Sequence, residues 1–125
     1  MELNYQDILK MNNEERKDTI TKFLVDLLGK KEEDQISEFK KMIGHMVKEY
    51  SDEEYVEFCE LFLEIIYSMD EKNIKSIMEA RLEAQFETED LFQRKIDSTN
   101  LLAAIKKIPI EDHIIEILKK YKIMP

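Results

Sequence analysis

Apolar residues recur at helical spacing through nearly the whole chain of 125 residues, and only two glycines and two prolines interrupt it. A half-buried strand would alternate apolar and polar residues, and no stretch does so. The sequence therefore predicts an all-α fold of about six amphipathic helices. Short connections favour antiparallel helical hairpins, in a compact bundle or a short three-hairpin α-solenoid. The length suits a single domain over 1–125, and no Gly- or Ser-rich linker divides it.

The first stripe is Ile20, Phe23, Leu24, Leu27 and Leu28, with Asn12 or Asn13 as its cap and Gly29 as a left-handed stop. A second helix from about Lys31 carries Ile36, Phe39, Ile43, Met46, Val47 and Tyr50. Ser51 followed by Glu54 is a capping box that opens the third, with Tyr55, Cys59, Phe62, Leu63, Ile66 and Met69 on its stripe. Ser68 and Glu71 repeat that signature before Ile74, Ile77, Met78 and Leu82. Thr88 is the expected cap of a fifth helix, with a break at Asp97–Ser98–Thr99–Asn100. Pro109 belongs in the first turn of a last helix bearing Ile110, Ile114, Ile117, Leu118 and Tyr121.

A shift of 39 residues superposes three of these helices. Phe23, Phe62 and Leu101 coincide, as do Leu24, Leu63 and Leu102, then Leu27, Ile66 and Ile105. At twice the shift Ile36, Phe39 and Ile43 fall on Ile114, Ile117 and Tyr121, whereas in the middle unit Lys75 stands opposite Ile36. Either three stacked hairpins or an unrepeated bundle accounts for this, because any two amphipathic helices match at some register.

The third helix carries the clearest surface feature. Its apolar arc covers more than half the circumference, leaving a ridge of Glu53, Glu57, Glu60 and Glu64. Between Lys48 and Lys72 there are nine acidic residues and no Lys or Arg. Like charges one turn apart repel by a few tenths of a kcal/mol per pair, so the ridge invites cations from neighbouring helices or from a partner. The C-terminal end inverts the charge with Lys106, Lys107, Lys119, Lys120 and Lys122. A net charge of −9 argues against nucleic acid, whose binders present a basic face. No apolar run approaches the ~20 residues of a membrane span and no signal-like start is present, so the cytoplasm is the expected compartment.

Chemistry-bearing residues are sparse. A single Cys59 forms no disulfide framework and falls inside an apolar arc. His45 is expected on the outer face of its helix. His113 and Glu116 form a His-x-x-Glu pair, the weak candidate for a metal, but two ligands do not make a site. Arg81 interrupts an apolar face and is expected to pair with a carboxylate such as Glu60 across a helix contact. The methionines at 42, 46, 69 and 78 read as core filling, with an adaptable binding groove as the alternative. No Gly-rich phosphate loop or nucleophile motif occurs, and no cofactor is implied.

The resulting expectation is a non-catalytic protein–protein interaction module, an adaptor, regulatory subunit or chaperone-like protein. Its contact strip would be Glu53, Glu57, Glu60 and Glu64, meeting a protein partner with a basic surface or the Lys-rich C-terminal end of another copy. The alternative is a small helical metal- or ligand-binding protein or enzyme with its site near His113 and Glu116.

Overall fold

The computed structural model describes residues 2–108 and 112–120. In the second stretch the described side chains are Asp112, Ile115, Glu116, Lys119 and Lys120. Among the described residues there are seven helices and no strand: α1 Tyr5–Lys10, α2 Asn13–Leu28, α3 Glu32–Glu49, α4 Asp52–Tyr67, α5 Glu71–Glu87, α6 Leu91–Lys107 and α7 Asp112–Lys120. The fold is all-α, as the periodicity requires. The helix beyond the expected six is α1, whose six residues are too few to generate a periodic signal. The Asn4 side chain starts it by accepting from the Asp7 amide.

Capping chemistry sets most of the boundaries. Asn12 with Glu15 and Ser51 with Glu54 are both complete capping boxes, each satisfying two orphan helix donors reciprocally. The other two expected N-caps are corrected. Ser68 and Thr88 end helices instead of starting them, since their hydroxyls donate back to the carbonyls of Ile65 and Ala84. Asp70 and Asp90, two residues on, take the N-cap positions. Gly29 is no left-handed stop either: its φ is −83°. The buried Gln35 amide does that work from α3, donating to the carbonyls of Leu27 at 2.8 Å and Lys30 at 3.3 Å.

The helices pack in two layers. In one, α4 lies between α2 and α6; in the other, α3 lies along α5, with α1 against α3. Positions related by the 39-residue shift share environments in the first layer. Phe23, Phe62, Leu101, Leu24, Leu63, Leu27, Ile66 and Ile105 are all buried, and Leu102 is half-buried. The counterparts Ile114, Ile117 and Tyr121, like Pro109 and Ile110, lie outside the described residues. Edge-to-face rings link the layers, from Phe23 through Phe39 to Phe62. Helix α4 buries Tyr55, Phe58, Cys59, Phe62, Leu63, Ile65 and Ile66. At ~1.5–3 kcal/mol for each large apolar side chain removed from water, it is the largest contributor to the core.

At the centre lies a polar cluster. Asp97 of α6 is fully buried, and its Oδ2 accepts from Arg81 Nη1 at 2.9 Å and from Gln85 Nε2 at 2.8 Å. Its Oδ1 accepts from Arg81 Nη2 and the Tyr55 hydroxyl. Two expectations are thereby corrected. Arg81 pairs with Asp97 and not Glu60, because it points inward from α5 and Glu60 stands on the outer side of α4. The Asp97–Asn100 cluster does not break a helix; α6 runs through it, since the carboxylate that looked like a solvent-seeking residue is matched by buried donors.

Burial opposes ionisation of Asp97, but the attraction and hydrogen bonds of Arg81, with those of Tyr55 and Gln85, outweigh it and hold the carboxyl below the usual range. Asp97→Ala should lower the unfolding free energy by about 3–5 kcal/mol, as removal of one partner of a buried pair does. The double change Arg81→Met with Asp97→Leu should lose much less. Because the folded value is depressed, the pair's contribution is complete above the ordinary carboxylate range near pH ~4 and fades as pH falls below it. Urea midpoints against pH should fall more steeply there for the wild type than for the double variant. Equal losses in the single and double variants would show that the pair itself is not responsible.

Candidate functional site

A groove of about 490 Å³ opens between α1, the start of α2 and the outer side of α4. Its floor is apolar, built from Ile8, Leu9, Ile20, Phe58 and Leu61. Its rim carries Glu14, Glu54, Glu57, Glu60 and Glu64 against only Arg16 and Lys17.

The groove depends on how α1 is held. A six-residue helix has no stability of its own, so side chains from elsewhere fix it. The Tyr50 hydroxyl donates to the Tyr5 carbonyl at 2.9 Å, and the Tyr5 ring stacks on His45 with centroids 5.0 Å apart. Arg16 of α2 donates to the carbonyls of Ile8 and Leu9 at 2.9 and 2.8 Å, capping the last turn of α1. Leu9 of α1 and Leu61 of α4 thereby line the groove half-buried, over Ile8 and Phe58, which are buried in the core.

The expected contact strip is partly assembled here. Glu57, Glu60 and Glu64 line the groove, while Glu53 does not. Glu54, missing from the expected strip, joins the rim although its Oε1 also accepts from the Ser51 amide. Glu57 and Glu64 are exposed; Glu60 is half-buried, with Lys107 Nζ 3.8 Å from its Oε1. The Lys-rich C-terminal end of α6 therefore supplies one cation to the ridge within the same chain.

His45 is exposed, with its Nδ1 2.7 Å from Glu49 Oε2. Glu116 is exposed on α7, and the His113 side chain lies outside the described residues. Among the described residues no three His, Cys, Asp or Glu side chains are arranged to hold a metal ion, and no helix is long and apolar enough to cross a membrane. Met42, Met46 and Met78 are buried in the core and Met69 is half-buried at its edge. Comparison with known protein families, characterised proteins and solved structures yields no match for this chain.

Sequence reasoning found the acidic half of this site and missed its apolar half. Glu54 was legible only as a cap, and Arg16 had no visible task. Ile8 and Leu9 belong to a helix too short to read.

Cys59 is buried, and burial pushes its thiol up to about 12 despite the nearby Arg81 charge. A thiolate-directed reagent at mildly alkaline pH should therefore leave the native protein unmodified while labelling the guanidinium-unfolded chain completely. Comparable labelling rates in the two states would contradict this burial.

Proposed function

We propose that the protein is a non-catalytic interaction module whose groove receives a basic amphipathic segment of a protein partner. The observation that carries this reading is the combination in one groove: five carboxylates line an apolar floor, and among the described residues Arg16 and Lys17 of the lining and Lys107 beside Glu60 offset them only in part. A solvated acidic face needs no apolar trough beneath it, and an ordinary apolar pocket does not collect like charges. The volume of about 490 Å³ falls in the ~300–1,000 Å³ range of ligand clefts. A helix with Lys or Arg flanking Leu-sized anchors satisfies both halves, in the helix-in-groove manner. The negative field would steer such a segment inward and speed its capture. The regulatory, adaptor and chaperone-like roles all share this event, and a cytoplasmic setting agrees with it.

A designed Lys/Leu helical peptide, followed by fluorescence anisotropy, tests the reading. Glu57→Lys with Glu64→Lys should weaken binding by about tenfold, given exposed pairs of ~0.2–1 kcal/mol each before reversal. Leu61→Ser, which leaves the charge alone, should weaken it about fivefold through lost apolar contact. All variants should keep wild-type circular dichroism. Binding indifferent to Leu61→Ser would reduce the interaction to charge attraction and remove the groove from the account.

A further inference from the structure

The turn joining α5 to α6 carries a second surface, unrelated to the groove. Phe86, Leu91 and Phe92 are 71%, 70% and 72% exposed. Large exposed apolar side chains gathered at one turn are the kind of surface that marks association sites on soluble proteins.

The patch is held firmly. The Thr88 carbonyl accepts from Arg94 Nε and Nη2 at 3.1 and 2.7 Å, and the Arg94 guanidinium lies 5.6 Å over the Phe86 ring. Asp90 Oδ1 accepts from the amides of Phe92 and Gln93 at 2.9 and 3.2 Å. A turn with its polar groups satisfied in this way presents its side chains preorganised, which lowers the ordering cost of binding.

We propose that this patch is the contact between two copies of the chain, related by a two-fold axis passing near Phe92. The charges beside the patch select this occupant. Glu89 and Asp90 precede the two apolar residues at the start of α6, and Lys95 follows one turn after Leu91. Two such segments crossing antiparallel at Phe92 bring position 95 of each copy opposite position 89 of the other. Among the described residues neither Glu89 nor Lys95 has a side-chain partner within its own chain. The same surface apposed in parallel would set like charges against each other. Anionic occupants such as a lipid headgroup layer or nucleic acid would meet Glu89 and Asp90, while Arg94 over the Phe86 ring is already committed to the Thr88 carbonyl. Three side chains cover less than the ~800 Å² per partner of a standard interface, so the dimer forms only at elevated concentration. The contact is isologous and closes at two copies.

Sedimentation velocity from about 10 μM to about 1 mM, the range of weak interfaces of this size, tests the proposal. The wild type should move from 15.0 kDa toward twice that mass. Leu91→Ser with Phe92→Ser should remain monomeric throughout. Lys95→Glu should raise the dissociation constant about tenfold, and Glu89→Lys combined with Lys95→Glu should bring it back to within about threefold of wild type. Because these side chains are exposed, unchanged thermal unfolding confirms that each variant folds. A wild type that stays at monomer mass, assemblies larger than two, or a double charge swap that fails to restore association would each overturn the proposal.

Discussion

The buried Asp97 carboxylate ties three helices at one point. Tyr55 reaches it from α4, Arg81 and Gln85 from α5, and Asp97 itself projects from α6. Apolar stripes attract one another without direction, and an amphipathic helix can slide by a turn at small cost in buried area. A saturated carboxylate cannot slide: any other register leaves a charge and several donors unpaired in the core, at a cost of several kcal/mol. We assign this cluster the role of setting the register among α4, α5 and α6. Ten residues along α6 from Asp97, that register brings Lys107 to Glu60. It also projects the first turn of α6, with Leu91 and Phe92, beyond the packed core.

The legibility of the sequence follows from the range of each interaction. Helices α2 to α6 were readable because burial imposes a 3.6-residue period over four or five turns, and because Asn12 and Ser51 carry their own capping partners three residues away. What failed was non-local or competed locally. Ser68 and Thr88 carry the same hydroxyl that caps an N-terminus, and the choice between ending one helix and starting the next fell to Asp70 and Asp90. Gly29 lost its expected role to Gln35, a residue that reads as surface polar. Asp97 looked like a helix breaker because its partner, Arg81, lies sixteen residues away on another helix.

The groove shows the same division. Glu57, Glu60 and Glu64 share a helix face, so their adjacency is written in their spacing. The trough beside them requires α1, and beyond its Asn4 cap α1 is held by Arg16, Tyr50 and the stacking of Tyr5 on His45. No periodic pattern announces a six-residue helix stabilised mainly from outside. A six-residue element held mainly by side chains of other helices also sits at the low end of local stability, where opening to admit a partner is least costly.

The two surfaces differ in the physics they would use. In the groove, like charges are concentrated over an apolar floor, which favours rapid capture of a cationic segment and makes binding weaken with salt. At the α5–α6 turn the charges are mixed and the apolar area dominates, which favours a contact set by shape and area. They share no residue and are built by different elements, α1, α2 and α4 for the groove and the α5–α6 turn for the apolar residues. A dimer through the turn would carry two acidic grooves, and a partner with two basic segments would then bind with an effective concentration that a single groove cannot supply.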